Sequence, residues 1–564
     1  MSLRRLRRAS ITVLAGALMV ALAACAGLPT SGPVNPGVRI VDDGTSGDIA
    51  FIPKGPVKDA TPQQIVEGFI AAGTGPTNNW ETAQQFLAPS YKGTWKPQAG
   101  VTIYASGQRT LQQSASGDIV LTVSPVATVD ATGEMSPASD NGPIPLTFKL
   151  AQQDDGQWRI TQAPDGIVLD KAQFLAVFGN YSLMYFDPTW TYLVPDVRWF
   201  PRYYAATNIA QGLVDGAPAP WLRGAVVSAF TDGARLELTS VPRQSNVAQV
   251  TLQDGARSLD QTALNRMQTQ LEASLDVPGI TSVDMLLPGG QQLTAHRVDV
   301  RSTAVAANPL VRTDDAFGFV SGTTISPIAG LSDALMQISA TDIEVNADRT
   351  AAAVRDVSGA VLEVPADGPI RRLDTRPDLV APSMDPAGYV WSVPSDAPGS
   401  VIAYAPGGTA VPMSGGWAGA SAVIAQRVSR DGTRLVAVVR DGDRYAVWGA
   451  GIQRDRTGAP TALASPVKKL ATLSDAATDL TWLDASTLGV LAGTGQDQYV
   501  EAVHVGGFPD APIRTPGDTS TLSGQTSNAS VSDTDGELYA QRGANWQQLM
   551  GGVRVLAVQQ GMPR

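Results

Sequence analysis

Residues 428–439 have the sequence VSRDGTRLVAVV, in which an Asp-Gly turn runs directly into an apolar strand. A tight hairpin turn demands a positive φ, which glycine adopts freely and aspartate tolerates. Four further segments repeat the pattern of an Asp-containing turn and an apolar strand, and the turn aspartates are Asp348, Asp385, Asp431, Asp484 and Asp533. Their spacings are 37, 46, 53 and 49 residues, close to the roughly 40–50 residues of a four-stranded blade. With one more candidate strand over Phe317–Ile325, residues 310–564 are predicted to form an irregular all-β propeller of five or six blades.

The preceding region, residues 176–303, is predicted to be a second folded module of the α+β class. Its clearest element is an amphipathic helix over Gln261–Leu275, with Leu264, Met267 and Leu271 on one face at helical spacing, which indicates core positions. A short helix is expected over Asn208–Leu213. The predicted strands are Ser182–Phe186, Trp190–Val194, Val226–Phe230, Arg235–Thr239, Ser282–Leu286 and Arg297–Val300.

Residues 59–175 are predicted to form the first module, with two helices followed by a curved antiparallel sheet. Thr61, Pro62 and Gln64 form a capping box with proline in the first turn, which predicts a helix start. A second helix is expected over Trp80–Leu87. This order of elements is typical of cystatin-like or NTF2-like α+β modules, which often present a cone-shaped pocket. We expect its tryptophans to be core residues rather than a ligand platform: Trp80, Trp95 and Trp158.

The N-terminus predicts export and lipid attachment. Residues 1–24 combine an arginine-rich start with an apolar stretch, as in a secretory signal peptide. Small residues then precede Cys25, as in the lipobox at which bacterial lipoproteins are diacylated on the thiol, cleaved and N-acylated. Cys25 is the one cysteine in 564 residues, so no internal disulfide competes for it. Residues 25–58 are rich in Pro and Gly and are predicted to be a tether to the cell membrane on its extracytoplasmic face.

The composition argues against nucleic acid as a partner. The formal net charge is −11, and removal of residues 1–24 takes away four arginines and no acid. The mature chain then has 37 basic and 52 acidic residues, a formal charge of −15. An acidic surface repels a polyanion.

A search for catalytic, cofactor and metal motifs predicts none of them, and therefore no enzyme. The two histidines, His296 and His504, both lie in segments of alternating polarity that predict strands and structural roles. The acidic run Asp533–Glu537 lacks the third spaced oxygen ligand of an EF-hand loop, so we interpret it as a turn. A two-carboxylate glycosidase stays open, because spacing along the sequence says nothing about proximity in space.

Two resemblances sharpen the functional expectation. Residues 176–303 resemble the GerMN modules of spore-germination and sporulation proteins, which are binding or assembly units. The similarity rests on five short segments in order: Tyr185-Phe186, Leu193-Val194-Pro195, Ile209-Ala210-Gln211 with Leu213, Leu236-Glu237-Leu238, and Val277-Pro278-Gly279-Ile280 with Val283. The whole chain resembles the LpqB lipoproteins of actinobacteria, on the order of its parts and on Leu22-Ala23-Ala24-Cys25-Ala26-Gly27-Leu28-Pro29 and Gly156-Gln157-Trp158-Arg159-Ile160 followed by Pro164-Asp165-Gly166.

The LpqB resemblance implies an accessory lipoprotein of the MtrA–MtrB two-component system. It implies binding to the extracytoplasmic part of the sensor kinase MtrB, with effects on cell-wall homeostasis and cell division. Lipidation of Cys25, with N-palmitoyl and S-diacylglycerol groups, carries over to this sequence. Two alternatives remain open: a receptor for an envelope glycan or peptide that uses the axial face of the propeller, and a cell-wall hydrolase.

Overall fold

The computed structural model describes residues 53–138, 142–231, 233–525 and 528–563. The predicted signal peptide, Cys25 and most of the predicted tether therefore lie outside the described residues.

The first module is the predicted α+β unit, with helices packed on a mixed sheet. Helix α1 begins with the predicted capping box, because the Gln64 amide donates to Thr61 Oγ1 at 3.3 Å and the Thr61 amide donates to Gln64 Oε1 at 2.9 Å. The sheet order is β5-β4-β2-β1-β6, with β3 beside β2 and with β6 parallel to β1. The elements are α1 (Pro62–Ala72), α2 (Thr77–Gln84), β1 (Gly100–Gln113), β2 (Ile119–Asp130), β3 (Met135–Pro137), β4 (Ile144–Gln152), β5 (Trp158–Gln162), β6 (Ile167–Asp170) and α3 (Lys171–Val177).

Aromatic side chains of the helices, the sheet and the segment between them pack together in the core of this module. The Phe69 ring lies edge-on to Trp95, with centroids 5.0 Å apart, and edge-on to Phe148 at 6.0 Å. Trp80 and Trp95 are buried and Trp158 is partly buried, which confirms the prediction that the tryptophans belong to the core.

Helix α2 differs from the prediction of a regular helix over Trp80–Leu87. It begins at Thr77, and Asn78, Asn79 and Trp80 all have positive φ, between 49° and 56°. Asparagine tolerates this left-handed region, but a tryptophan rarely adopts it. Trp80 is fixed there by burial and by a hydrogen bond from its Nε1 to the Gly73 carbonyl oxygen at 3.0 Å.

The second module contains a long hairpin, two helices and a three-stranded sheet. The predicted amphipathic helix is confirmed with one residue less at its end, and Leu264, Met267 and Leu271 are buried in the core. The sheet order is β11-β10-β9, with β10 and β11 parallel. The elements are β7 (Phe178–Phe186), β8 (Leu193–Pro201), α4 (Ala205–Val214), β9 (Arg243–Gln244), β10 (Val247–Thr251), α5 (Gln261–Ser274) and β11 (Ser282–Leu286).

Three of the strands predicted for this module are wrong: Val226–Phe230, Arg235–Thr239 and Arg297–Val300. The last of these has the alternation of a strand, but its amides bond to side chains of α5. The His296 amide donates to Asn265 Oδ1 at 2.9 Å, and the Val298 amide donates to Thr269 Oγ1 at 2.8 Å. This segment therefore follows a helix instead of joining a sheet, and His296 is exposed rather than placed in a strand.

The C-terminal region is a propeller, as predicted, and its described residues form six blades. Blade 6 takes its inner strand from the C-terminus and its other strands from the start of the region. The strands before the first complete blade are β12 (Leu310–Arg312), β13 (Phe317–Ser321) and β14 (Thr324–Ser326), followed by helix α6 (Leu331–Met336).

The strands of blades 1 and 2 are β15 (Ala340–Val345), β16 (Ala351–Asp356), β17 (Val361–Pro365), β18 (Arg371–Asp374), β19 (Ser383–Met384), β20 (Val390–Ser392), β21 (Ile402–Tyr404) and β22 (Ala410–Pro412). Blade 3 contains five strands: β23 (Ala422–Val428), β24 (Arg434–Asp441), β25 (Arg444–Arg454), β26 (Pro460–Leu463) and β27 (Lys468–Leu473). Blades 4 and 5 contain β28 (Ala477–Trp482), β29 (Thr487–Ala492), β30 (Tyr499–His504), β31 (Ile513–Arg514), β32 (Thr519–Gln525), β33 (Asn528–Asp533), β34 (Leu538–Arg542) and β35 (Asn545–Met550), and blade 6 adds β36 (Val555–Gln559) to β12–β14.

Strand β36 closes the ring, a feature that the sequence repeat did not predict. It pairs antiparallel with β12, where Leu310 faces Ala557, and parallel with β15, where Glu344 faces Val558. The fifth predicted turn is also displaced relative to the others. The turn at Asp533 joins the second and third strands of its blade, whereas the other four join the first and second strands.

The three modules are joined by buried contacts. A Cβ atom at Gly451 in blade 3 would lie 2.6 Å from the Trp221 carbonyl oxygen, so glycine is required where the second module packs on this strand. Lys468 Nζ donates to Glu134 Oε1 and to the Met135 carbonyl oxygen of the first module, both at 2.6 Å. Each junction therefore restrains the modules relative to one another.

Candidate functional site

A cleft of about 950 Å³ lies in the first module, beside helices α1 and α3. We call it the tether cleft and define it by its three walls: residues 53–60, the outer face of α1, and the end of α3. Its floor is apolar and is formed by Ile65, Phe86 and Val177, all of which are buried. The cleft is a concave apolar surface of the size that binding sites usually have.

Local sequence explains how the cleft is shaped. A Cβ atom at Gly68 would lie 2.4 Å from the Phe86 ring, so only glycine lets α1 approach the floor this closely. Residues 53–60 are held by a double hydrogen bond, in which the Asp59 amide donates to Gln157 Oε1 at 2.7 Å and Gln157 Nε2 donates to Asp59 Oδ1 at 2.9 Å.

The rim of the tether cleft carries charges of both signs. Lys54 and Lys58 lie on the wall formed by the incoming chain, and Asp59 and Glu67 complete the rim. Between the two lysines, Val57 is 71% exposed. An apolar floor with a charged rim is the arrangement found at protein–protein interfaces, where the apolar centre contributes affinity and the rim contributes specificity.

The propeller axis was the second place where a binding site was expected, and charged side chains of the protein fill it. Arg427 lies between two carboxylates: its Nε is 3.6 Å from Glu344 Oε2, and its Nη2 is 3.2 Å from Asp479 Oδ1. Glu344 Oε1 also accepts hydrogen bonds from Ser383 Oγ at 2.7 Å and from Gln560 Nε2 at 2.5 Å. These groups come from blades 1, 2, 3 and 4 and from the C-terminal residues, so the network ties the ring together.

A second arginine bonds to the backbone of neighbouring blades. Arg430 Nη2 donates to the carbonyl oxygens of Trp482 at 2.5 Å and Gly524 at 3.2 Å. Burial lowers the pKa of Arg430 to about 10, so it stays positively charged at neutral pH.

Burial also dominates the two axial carboxyl groups. It raises the pKa of Glu344 above the usual value, against the opposing effects of Arg427 and of the hydrogen bond from the Met384 amide. Burial raises the pKa of Asp479 in the same way, again opposed by Arg427. Both directions follow from the cost of placing a charge in a low-dielectric interior.

Comparison with known proteins identifies the family. The model described as "Lipoprotein LpqB, N-terminal domain" matches residues 55–175, and the model described as "Lipoprotein LpqB beta-propeller domain" matches residues 309–557. Together these matches cover more than half of the chain. The chain belongs to the LpqB lipoprotein family.

Full-length relatives agree with these matches. The Lipoprotein LpqB of Streptomyces coelicolor is 26% identical over 568 residues, covering 90% of each chain. The Lipoprotein LpqB of Bifidobacterium longum is 25% identical over 512 residues, covering 86% of this chain and 84% of the relative. Among solved structures, a chain of a nidogen/laminin complex covers 44% of this chain and 96% of its own length, with a TM-score of 0.33 and 11% identity.

LpqB membership establishes a lipoprotein with a propeller domain, and the family descriptions name a lipoprotein rather than an enzyme. Proteins of this kind are held at a membrane of the cell envelope. Neither matched model covers residues 176–308, so the GerMN resemblance of the second module stays a prediction. Lipidation of Cys25 also stays a prediction, because Cys25 lies outside the described residues.

The remaining candidate residues of this LpqB-family protein do not converge on one site. His504 Nε2 lies 3.1 Å from Asp510 Oδ2, and His504 Nδ1 lies 3.2 Å from Thr487 Oγ1, while His296 belongs to the second module. Asp533 Oδ1 accepts hydrogen bonds from the amides of Asp535 and Glu537, as expected of a turn. Across the described ranges no three His, Cys, Asp or Glu side chains are grouped to hold a metal ion. No helix in the same part of the chain is long and apolar enough to cross a membrane.

The sequence did not predict the tether cleft or the axial network. The cleft combines segments that are about 100 residues apart, and nothing in its walls repeats or matches a motif. The axial residues left only a weak signal: Glu344, Arg427 and Asp479 each lie directly beside an apolar residue in the first strand of a blade. A charged residue beside the core positions of a strand indicates a buried partner.

Proposed function

We propose that this protein is a lipid-anchored, extracytoplasmic accessory protein that binds the sensor kinase MtrB and modulates the MtrA–MtrB two-component system. Through the kinase it affects cell-wall homeostasis and cell division. The observation that carries the proposal is the position of the tether cleft, because one of its walls, residues 53–60, includes the last residues of the predicted tether.

The anchor limits where the tether cleft can be. Pro53, which lines the cleft, follows the proposed lipidation site Cys25 by 28 residues. A fully extended chain of that length spans at most about 100 Å. Two or more acyl chains are needed for stable anchoring, so lipidated Cys25 keeps the cleft within this distance of the bilayer, where the extracytoplasmic part of a membrane kinase is also found.

Confinement to one membrane surface raises the effective concentration of the two partners without any change in their intrinsic affinity. A partner that binds one kinase conformation better than another shifts the signalling equilibrium by that difference in binding free energy. The apolar floor and the charged rim of the tether cleft suit a segment of another protein. Because the junctions restrain the three modules relative to one another, they move together when the cleft is occupied.

Crosslinking in cells tests the proposal. A photoreactive amino acid replaces Ala71 on α1 or Ala176 on α3, two exposed alanines that line the tether cleft. We expect both probes to crosslink to MtrB. The matched control is the same replacement at Ala410, an exposed alanine on the outer strand of blade 2, which should not crosslink to MtrB.

Combining each probe with Cys25→Ala tests the anchor. We expect the crosslink to MtrB to be lost or strongly weakened, because the protein is then no longer confined to the membrane surface. If the intact, anchored protein gives no MtrB crosslink from the cleft, or gives the same yield from Ala410, the proposal is wrong. Recovery of cell-wall fragments without MtrB supports the receptor alternative, and turnover of peptidoglycan by the purified protein supports the hydrolase alternative.

A further inference from the structure

A second cleft, of about 430 Å³, lies between the second module and the propeller. We call it the junction cleft. One wall comes from the turn between β7 and β8, at residues 187–192, and the remaining walls come from turns of blades 2 and 3, at residues 386–389, 431–433 and 457–458. Ligand sites often lie where two modules meet. The junction cleft has no lining residue in common with the tether cleft.

Arg454 holds the propeller side of the junction cleft together. Its Nη2 lies 2.5 Å from Asp385 Oδ2, and it donates hydrogen bonds to the carbonyl oxygens of Gly432 and Gly458, both at 2.9 Å. These three acceptors belong to three different turns. A Cβ atom at Gly432, where φ is +74°, would lie 3.0 Å from Pro386, so glycine lets two of the turns approach closely. The propeller side of the cleft is therefore shaped before any ligand binds.

The Asp187 carboxylate fixes the wall that the second module contributes. It accepts hydrogen bonds from the amides of Thr191 at 2.7 Å and Tyr192 at 2.6 Å. The Thr191 carbonyl oxygen in turn accepts a hydrogen bond from the Arg301 amide at 2.7 Å, and Arg301 Nη2 donates to Asp348 Oδ1 of blade 1 at 2.5 Å. This wall is therefore tied to the propeller across the junction.

The surface of the junction cleft is made of rings and hydroxyl groups. Its apolar part comes from three prolines, two tyrosines and one alanine, and its hydroxyl groups include those of four threonines. Among the described residues that line it there is no Leu, Ile, Val, Met or Phe, whereas Ile65, Phe86 and Val177 form the floor of the tether cleft. The Tyr389 ring is supported from within the protein, because the guanidinium group of Arg454 lies 5.9 Å from its centroid.

The charged residues that line the junction cleft all have partners inside the protein. Three of them form ion pairs, and these are Arg301 with Asp348, Arg454 with Asp385, and Asp431 with Arg434. The fourth, Asp187, turns its carboxylate toward the amides of its own turn. A charged ligand would lose its hydration here and displace existing contacts, which is costly. The cleft therefore favours an uncharged ligand.

We infer that the junction cleft binds a neutral sugar. The face of a tyrosine ring packs against the C–H face of a sugar, and threonine hydroxyl groups both donate and accept hydrogen bonds, as sugar hydroxyl groups do. A peptide would bring aliphatic side chains, for which the tether cleft has an apolar floor and the junction cleft has none. A volume of about 430 Å³ is within the range of ligand pockets and suits about two sugar units.

The test measures binding to the full mature protein, purified in detergent, by saturation-transfer NMR and calorimetry. The probes are two neutral disaccharides, chitobiose and cellobiose, the acidic disaccharide of N-acetylglucosamine and N-acetylmuramic acid, and a proline-rich peptide. We expect at least one neutral disaccharide to bind, and to bind at least as tightly as the acidic disaccharide and the peptide. The comparison of chitobiose with cellobiose shows whether the acetamido group is recognised.

Variants on the wall of the cleft locate the binding. Ala387 is exposed and lines the cleft, so Ala387→Trp places an indole ring there and should weaken binding of the neutral disaccharide about tenfold or more. The matched control is Ala410→Trp, at an exposed alanine on the outer strand of blade 2, which should have no effect. Tyr389→Ala should weaken binding about fivefold, and Tyr389→Phe, which keeps the ring, should restore most of it.

The inference is wrong if neither neutral disaccharide binds, if the acidic disaccharide or the peptide binds more tightly than both of them, or if Ala387→Trp binds like the wild type. Because the two clefts share no lining residue, none of these outcomes decides whether the tether cleft contacts the kinase.

Discussion

Arg427 and the carboxylates it binds at the propeller axis are buried, whereas the wall of the tether cleft presents an apolar side chain, Val57, that is 71% exposed. Each region departs from the usual rule that charges face water and apolar groups do not. At the axis, Arg427 lies between Glu344 and Asp479, so one buried cation is shared by two carboxyl groups of the protein. In the tether cleft, residues 53–60, α1 and α3 surround the apolar floor without filling the space above it.

The two regions differ in whether their unusual side chains contact the protein itself or solvent. Buried ion pairs are not a strong source of stability by themselves, but breaking one is costly because a charge is left without a partner. The axial network therefore fixes how the blades are arranged. The exposed apolar side chains of the tether cleft, Val57, Ala71 and Ala176, are instead available to another molecule. Under the function proposed above, the propeller is the rigid support and the first module carries the binding surface.

The largest effect is expected from Arg427→Met, which removes the central charge of the axial network. Glu344 and Asp479 then stay buried without the cation that stabilises them. We expect the free energy of unfolding of the propeller to fall by about 3–5 kcal/mol, or roughly 10 °C in its unfolding temperature. Thermal unfolding followed by circular dichroism measures the change.

The matched control is Arg514→Met, which breaks an ion pair with Asp497 in which both side chains are highly exposed. Water screens such a pair, so this variant should leave the unfolding temperature nearly unchanged. If the two variants unfold at the same temperature, the axial network stabilises the propeller no more than an exposed ion pair does, and the prediction is wrong.

Sequence patterns correctly predicted the elements that depend on residues close together in the chain. The capping box at Thr61 and the apolar face of α5 involve residues within one or two helical turns, and both are confirmed. The predictions were wrong where residues far away in the chain determine the backbone hydrogen bonds. The Arg297–Val300 segment alternates like a strand, yet the amides of His296, directly before it, and of Val298 donate hydrogen bonds to side chains of α5. Strand β36 closes a ring with β12, about 245 residues earlier in the chain, and no local signal indicates that pairing.

The candidate sites were less predictable than the fold for the same reason. Glu344, Arg427 and Asp479 lie in three strands that are far apart in the sequence, and only the ring brings them together. The tether cleft depends on Gly68 facing Phe86 and on Asp59 pairing with Gln157. Neither contact has a periodicity or motif that identifies it in the sequence.

A smaller change in the free energy of unfolding is expected from Glu344→Gln, and the sign of this change depends on pH. Burial raises the pKa of Glu344 in the folded state above its usual value of 4.5. The folded protein therefore holds this proton more tightly than the unfolded chain does. The contribution of Glu344 to stability is then greatest below about pH 4.5 and falls as the pH rises through the folded pKa.

Glutamine resembles the protonated acid, so the variant should gain stability relative to the wild type as the pH rises from 4 to 8. The slope is at most about 1.4 kcal/mol per pH unit for one proton. The altered contact with Arg427 adds a constant difference in the free energy of unfolding, which does not change with pH. Urea unfolding of both proteins across this range gives the difference, and Asp497→Asn, at an exposed carboxylate, is the control that should show no slope. A difference that moves in the wild type's favour with rising pH would show that Arg427, and not burial, controls this carboxyl group.

The smallest change in stability is expected at the tether cleft, from Val57→Ser. Val57 is 71% exposed between Lys54 and Lys58, so little apolar area returns to water in the variant, and the free energy of unfolding should change by less than about 0.5 kcal/mol. The same side chain offers an apolar contact to a bound partner, so the yield of the MtrB crosslink from Ala176 should fall severalfold. Val357→Ser, at a valine of the propeller that is equally exposed at 71%, removes the same group away from the cleft and should leave that yield unchanged. If both serine variants crosslink like the wild type, Val57 does not contact the kinase, and the proposal that the tether cleft binds MtrB loses its support. If Val57→Ser alone lowers the yield at unchanged stability, the loss is one of binding, because neither the fold nor the anchor has been altered.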